Sequence, residues 1–299
     1  MTGEGNIAVL GATSGIGVRL VGRLQSRGAS VLALGRSAER LAKLSVPWRV
    51  VDLAAAGGLA AALADASHVV SCLPAGFAPD ILAALPDRVE RVILTGSTRR
   101  FTRFPDRKAE QVAAAEAALR SSGRAGVMLH PTMICGGDQE NNVQRVASYV
   151  RRFGIVPLPE GGRRLIQPIY VDDVAACLEA ALTRTEAVGL PVIVAGPEPL
   201  TYRAFVEAIA AAIGRSVRIL SLPVSVLQMA AGATRLVPGL PRIEAAEIQR
   251  LCEDKAFDIA EMRRRLGVEP ISLRAALARI FPVTPSTEGR AAESSIAGR

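Results

Sequence analysis

At 299 residues, 49% hydrophobic and 21% charged, the chain suffices for one large domain or two small ones with a sizeable core. Its net charge of +8 is carried almost wholly by arginine, aromatics make up only 4%, and no nucleic-acid module is visible. The basicity therefore points to nucleotide phosphates, a nucleotide-linked substrate or an acidic membrane surface, and no specific nucleic acid is expected as a partner. Two histidines and four dispersed cysteines (Cys72, Cys135, Cys177, Cys252) without a CxxC pair argue against a metal site or a disulfide framework, and the cysteines read as buried residues of a reducing cytosol. The N-terminal MTGEGN lacks a basic-then-apolar leader, and the longest uncharged stretch, residues 219–234, contains Pro223, so a cytoplasmic chain without a spanning helix is expected.

The first pattern along the chain is strand, glycine turn, helix. An apolar run at 7–10 meets GATSGIG at 11–17, and an amphipathic stretch at 18–27 ends at Gly28. Glycine suits a sharp turn that a dinucleotide pyrophosphate approaches closely, and the first N–H groups of the following helix face the phosphates. Gly11, Thr13, Ser14, Gly15, Ile16 and Gly17 are the candidate cofactor-binding residues there, with a purely structural turn as the alternative.

Residues 29–34 (ASVLAL) are continuously apolar, as in a parallel sheet covered on both faces. Arg36 and Ser37 follow. An acidic residue at this point serves the ribose 2′-OH of NAD, whereas Arg36 suits a 2′-phosphate, so NADP is expected rather than NAD. Read structurally, Arg36 is a solvated residue ahead of a helix at 38–44 that Ser37 caps. The strand at 48–51 ends in Asp52 and Leu53. Asp52 is placed to accept from an adenine amine and Leu53 to pack on the ring; the alternative is an N-cap for an Ala-rich helix at 54–65. A fourth strand, 68–72, runs through Cys72 into Leu73 and Pro74, a turn at a strand end where ligands sit in open α/β sheets. His68 opens that strand and reads as a packed or edge histidine. A short helix at 79–85 and a strand at 91–94 lead to Thr95, Gly96, Ser97 and Thr98, whose hydroxyls polarise a carbonyl, bind phosphate or cap a turn. A helix at 107–121 closes at Gly123, and a strand at 126–129 ends in HPTMICGG at 130–137. This alternation predicts an α/β fold with a right-handed, doubly wound parallel sheet.

Beyond residue 137 the rhythm changes. A helix at 141–153 precedes a Pro/Gly-rich loop at 156–164 and extended chain at 165–171. A helix at 174–183 carries Asp172 and Asp173 at its positive end. A strand at 191–195, a helix from Thr201 to 213 and a strand at 218–222 follow, then apolar helical segments at 224–237 and 243–252 and a final helix at 273–280. The expected division is a dinucleotide-binding domain at 1–136, a region at 137–282 that returns elements to the sheet and builds a small, discontinuous substrate lobe, and a disordered tail at 283–299. Gln139, Asn141, Asn142, Arg151, Gln167 and Tyr170 are positional candidates to face a substrate.

On GATSGIG (11–17), GRS (35–37), DL (52–53), HPTMICGG (130–137), QPIYVDDVAACLEAAL (167–182) and AGPEPLTYRAFVEAIAAAIG (195–214), residues 5–280 resemble the extended or atypical branch of the short-chain dehydrogenase/reductase superfamily, the NAD-dependent epimerase/dehydratase-like group. The resemblance implies a Rossmann-type fold with a small C-terminal substrate lobe. It places Pro131, with Thr132 and Ile134 beside it, near a nicotinamide.

That family's usual acid/base is a Tyr with a Lys four residues later. Here Tyr149, Tyr170 and Tyr202 are followed at that spacing by Phe153, Val174 and Val206. FPDRKAEQ at 104–111 looks like the matching helix start, with Lys108 kept and Phe104 where the tyrosine would stand; phenylalanine neither gives nor takes a proton. Two readings follow. In one, the protein is an oxidoreductase acting on a carbonyl or nucleotide-sugar-like substrate. Lys108 then serves without the Tyr, as in isoflavone-reductase-like relatives, Ser97 orients the carbonyl, and Tyr170 or His130 are substitutes. A lysine desolvated beside Arg103 and Arg107 has a lowered pKa. In the other, the chain binds NADP(H) without catalysis, as a redox-sensing or assembly subunit resembling the NADPH-binding accessory subunit of respiratory complex I. Its apolar segment at 224–240 then meets a protein partner or a peripheral membrane surface. A monomer or homodimer is expected.

Overall fold

A computed structural model describes residues 6–53, 57–137, 142–233 and 245–282. In chain order the first elements are β1 (Asn6–Leu10), α1 (Gly15–Ser26), β2 (Val31–Gly35), α2 (Ala38–Leu41), β3 (Trp48–Val50), α3 (Gly58–Leu63), β4 (Ala66–Ser71), α4 (Ala78–Ala83), β5 (Arg91–Thr95), α5 (Arg107–Ser121) and β6 (Gly126–Pro131). The second half holds β7 (Ile134–Cys135), α6 (Asn142–Phe153), β8 (Ile155–Pro159), β9 (Leu165–Ile166), β10 (Ile169–Tyr170), α7 (Val171–Thr183), β11 (Val192–Val194), β12 (Leu200–Thr201), α8 (Tyr202–Ala212) and β13 (Arg218–Leu222). Helices α9 (Val224–Ala233), α10 (Ala245–Arg250), α11 (Ala260–Leu266) and α12 (Leu273–Ile280) complete it.

Strand periodicity builds the centre. Along β1, Val9 faces one core with Leu20, Val70 and Leu178, while Ala8 and Leu10 face another with Val69, Val92 and Val112. A strand buried on both faces must be apolar throughout, which is why these runs do not alternate with polar residues. The result is a seven-stranded parallel sheet in the order β11-β6-β5-β4-β1-β2-β3, a doubly wound Rossmann-type arrangement. Helix α1 buries Gly17, Leu20, Val21 and Leu24, one stripe at helical spacing, in the core it shares with α7. Arg23 of α1 and Arg27 just beyond its end close on the buried Glu179 of α7, Arg23 through a 2.7 Å hydrogen bond.

The strand order reverses at β1, which lies between β2 and β4. At such a switch point the two following connections diverge and leave a crevice at the carboxyl ends of the strands. A third core, containing Val143, Val150, Leu158, Phe205, Ile209 and Leu277, joins α6, β8, α8 and α12 into the lobe beyond the sheet.

Three readings from sequence change. Residues 156–164, expected as a loop, contain most of β8, which pairs in parallel with β13 from Ile155↔Arg218 to Pro159↔Leu222. Pro157 and Pro159 masked it, yet a two-stranded ladder leaves one side of each strand unpaired, where a missing N–H costs nothing. Helix α7 starts at Val171, so Asp172 and Asp173 lie inside its first turn instead of ahead of it. Helix α11 was not anticipated: Arg263, Arg264 and Arg265 hide its apolar pair Met262 and Leu266, and Arg265 is itself buried, donating to the Glu186 and Ala187 carbonyls. Residues 54–56 of the expected third helix, 234–244 of the apolar C-terminal segments and the tail at 283–299 lie outside the described residues. Among the described residues no helix is long and apolar enough to cross a membrane.

Candidate functional site

The glycine turn is held by its own backbone. Gly11 N and Ala12 N both donate to Leu34 O, at 3.0 and 3.1 Å, and Ser14 N donates to Gly11 O at 2.9 Å. Gly11 sits at φ +73°, and a Cβ there would lie 2.8 Å from Leu73 Cδ2, so glycine lets the turn after β4 close on it. At Gly17 a Cβ would stand 2.2 Å from Gly11 O. Ser14 caps α1, its hydroxyl accepting from Gly17 N at 3.0 Å. Across the crevice lies Gly137: Cβ atoms added at Gly15 or Gly137 would sit 4.0 or 3.8 Å from the other residue's Cα. The loop after β7 thus faces the turn, and Ile16 packs with Ile134 against one core.

The flanks are built from the other strand ends. Arg36, exposed, directly follows β2, and Ser37 caps α2 by accepting from Arg40 N at 3.3 Å. Arg40, which sequence reading did not single out, turns back to donate to Thr13 O at 2.6 Å. Asp52 is exposed after β3, and Leu53 packs half-buried against the core. Cys72 is sealed in, with burial pushing its thiol up to about 12; Pro74 beyond it is exposed. Thr95 is buried and its hydroxyl donates to Ser71 O at 2.7 Å, so it ties β5 to β4. Thr132 N donates to Val194 O at 3.0 Å, and its hydroxyl donates to the Gln167 carbonyl. The Pro131 carbonyl accepts from Thr98 Oγ1 at 3.3 Å.

Where β5 and β6 end, a cavity of about 820 Å3 opens towards the lobe. Ser97 and Thr132 stand at its sheet end; Phe101, Tyr149, Tyr202 and Phe257 supply aromatic walls, and Val146, Leu158 and Ile166 aliphatic ones. Its cations are mostly met by acids. Arg99 and Arg250 both reach Asp106 Oδ2, at 3.2 and 3.3 Å; Arg145 lies 3.4 Å from Glu247, and Arg103 Nε 4.0 Å from Glu253. Glu253 is buried and accepts from Thr102 Oγ1 and Arg103 N, each at 2.7 Å. Gln167, also buried, donates to Gly196 O and accepts from Phe257 N, both at 2.8 Å. Lys255 lies between these anchors on the cavity wall.

Of the positional substrate candidates, Asn142 and Gln167 line this cavity, Gln139 and Asn141 fall outside the described residues, and Arg151 instead stacks 5.6 Å from the Phe281 ring. Of the catalytic candidates, Ser97 lines it. Lys108 is exposed on the first turn of α5, away from its walls. Tyr170 is buried against Gly136, where a Cβ would come within 2.7 Å of its ring, and Arg279 lies 5.5 Å above it. Its phenol is raised by burial and by Asp172. His130 is wholly buried behind Ser97. Ser97 N donates to Nδ1 at 3.1 Å, which leaves the proton on Nε2, 2.8 Å from Glu116 Oε1. Burial holds its pKa below the ordinary value against the pull of Glu116, so His130 braces the Ser97 turn. Lys255 and Glu253 carried no signal in the sequence, because their partners at 165, 102 and 103 are distant along the chain.

Asp106 has a testable consequence. It caps α5, accepting from Lys108 N at 2.8 Å and Ala109 N at 3.1 Å, beside Arg99 and Arg250. Burial alone would raise its carboxyl; the Ala109 N–H, Arg99, the Lys108 N–H and Arg250 outweigh it and hold the pKa below the usual value. The stability it contributes is complete above the ordinary carboxylate pKa of about 3.9 and is lost as pH falls through the depressed folded value. Asp106→Asn is expected to lower the melting temperature at neutral pH and to flatten the acid limb of a stability-against-pH series; an unchanged acid limb would remove Asp106 from that role.

No protein-family model matches the chain. Over 276 residues, 88% of this chain and 28% of the other, it is 26% identical to an uncharacterised protein of Mycobacterium tuberculosis. Over 133 residues, 44% of this chain and 33% of the other, it is 32% identical to the mitochondrial NADH dehydrogenase (ubiquinone) 1 alpha subcomplex subunit 9 of Arabidopsis thaliana. The chain thus spans 28% to 33% of the length of these curated relatives. Among solved structures, the NADPH-dependent quinone oxidoreductase of Escherichia coli superposes with a TM-score of 0.74 at 19% identity, over 92% of this chain and 99% of that one. The UDP-glucose 4-epimerase of Thermotoga maritima does so with a TM-score of 0.70 at 16% identity, over 92% and 97%. Its parallel seven-stranded order and these likenesses show that the chain shares their doubly wound, Rossmann-type α/β fold.

Proposed function

We propose that the protein binds NADP(H) across the glycine crevice and reduces an apolar carbonyl compound in the adjoining cavity, as an oxidoreductase that lacks the usual tyrosine. The observation that carries this reading is a cavity with aromatic and aliphatic walls, most of its charged side chains paired, that opens directly beside Ser97 and Thr132 at the strand ends where the crevice lies. The turn fits a pyrophosphate: side chains at Gly11 or Gly17 would fill it, and the start of α1 presents free N–H donors. Arg36, directly after β2, and Arg40 of α2 suit a 2′-phosphate. Bound there, the reduced dinucleotide supplies the electron pair for reduction.

The arginines of the cavity favour an uncharged carbonyl over a nucleotide-sugar. A diphosphate needs cations that carboxylates do not already engage, whereas Arg145 and Arg103 each face one and Arg99 and Arg250 share Asp106. The second reading, a binder without catalysis, draws on Phe104 in the tyrosine position and on the stretch shared with the plant complex I subunit.

The test is a quench titration of Trp48, the sole tryptophan, with NADPH and NADH on wild type, Arg36→Ala and Arg40→Ala, alongside NADPH oxidation with a panel of ketones and quinones. NADPH is expected to bind more tightly than NADH, and each variant to weaken NADPH alone by about 1–3 kcal/mol, the scale of a charge-assisted hydrogen bond. Equal loss for both nucleotides would remove the phosphate role. Tight binding with no acceptor reduced would favour the sensor or assembly reading.

A further inference from the structure

We infer that Lys255 Nζ hydrogen-bonds and then protonates the oxygen of an apolar cyclic ketone or quinone bound in the cavity. This rests on the reductase reading above.

The chain has only three lysines. Lys43 pairs with Glu39 at 3.1 Å in an exposed i,i+4 contact, and Lys108 is exposed on α5. Lys255 alone lines the cavity. Its place is fixed from both sides. Lys255 N donates to Leu165 O at 2.8 Å; two residues earlier Glu253 is tied to Thr102 and Arg103, and two residues later Phe257 N is held by Gln167. Lys255 Nζ donates one hydrogen bond to the Arg250 carbonyl at 2.9 Å, which leaves two of its three N–H donors for a ligand.

Its surroundings hold the amine below the ordinary lysine pKa, which makes its ammonium a readier proton donor. Burial lowers the amine first, Arg250 and Arg99 lower it further, and Glu253 and Asp106 oppose them without cancelling the shift. The other groups within reach are worse donors. Burial pushes Tyr202 up to about 12 and raises Tyr149, and His130 has both ring nitrogens engaged behind Ser97. In the step, the carbonyl carbon gains one hydrogen with its electron pair from the reduced nicotinamide dinucleotide, and the oxygen gains the Lys255 proton. A ketone leaves as an alcohol; a quinone gives a 4-hydroxydienone, which becomes the hydroquinone when its C–H proton passes to water and its second oxygen takes one from water; the neutral amine likewise recovers a proton from water.

The test acetylates the full chain with acetic anhydride across a pH series and follows the three lysines by peptide mass spectrometry, with and without duroquinone, whose substituted ring resists addition. Lys255 is expected to become reactive at a lower pH than Lys43 and Lys108, and duroquinone to protect Lys255 alone. Lys255→Met is expected to lower NADPH-dependent duroquinone reduction by about 10²-fold or more, the scale of a positioned acid, while NADPH still quenches Trp48; Lys255→Arg should shift the pH profile upward. Titration of Lys255 with the other two, absence of protection, or full turnover by Lys255→Met in a wild type that reduces duroquinone each overturns the assignment and leaves the reductase reading standing. Low-pH reactivity and protection in a wild type that oxidises NADPH with no acceptor overturns the reductase reading, and the proton transfer with it.

Discussion

Gly17→Ala is expected to abolish dinucleotide binding and to destabilise the protein by about 3 kcal/mol or more, at the upper end of overpacking. The added Cβ would sit 2.2 Å from Gly11 O and 2.8 Å from Ala12 Cα. Both are backbone atoms, so no rotamer change relieves the clash. The Gly11 carbonyl also accepts from Ser14 N, and Ser14 in turn caps Gly17 N, so moving one strand of the turn breaks the cap as well. Gly22 in the same helix is the control. It is exposed, with nothing within 4 Å of a built Cβ, so Gly22→Ala should stabilise by about 0.5–1 kcal/mol through the chain entropy that alanine does not lose. Urea melts and the Trp48 titration read both variants. A Gly17→Ala protein that melts like wild type and binds NADPH would mean that the turn has room the distances deny.

The second large effect is at Gln167. Gln167→Leu is expected to cost about 2–5 kcal/mol, because it strands two groups at once: Gly196 O loses its Nε2–H donor and Phe257 N loses its Oε1 acceptor. Leucine matches the volume closely, so packing contributes little and the loss is mainly polar. Phe257 anchors the wall that carries Lys255, so loosening there should also weaken duroquinone binding beyond the stability loss. Gln167→Glu separates the two contacts, keeping the acceptor for Phe257 N and losing the donor to Gly196 O. Denaturant melts and amide exchange at Phe257 decide it. Unchanged protection at Phe257 in Gln167→Leu would show that another group holds the wall.

Much of the sheet was legible because its information is local. Apolar runs such as residues 29–34 specify strands buried on both faces, GATSGIG specifies a strand–turn–helix, and Ser37 caps the helix it precedes. Strand β8 was not legible because Pro157 and Pro159 speak against a strand unless a partner is known, and β13 lies about sixty residues further on. Helix α11 was hidden by three successive arginines, one of which is buried only because the carbonyls of Glu186 and Ala187 are brought to it.

By itself the amino-acid order determined the doubly wound scaffold, the glycine turn, the arginine after β2 and the absence of a tyrosine–lysine pair, since each is written in residues adjacent or one helical turn apart. Only the tertiary structure decided which side chains share a site. Arg40 meets Thr13, Gln167 holds Phe257, and Lys255 joins Ser97 around one cavity, while Lys108 stays on the surface and Tyr170 packs under Arg279. Those pairings depend on how the lobe folds back over the strand ends, and no local pattern encodes a contact between segments tens of residues apart.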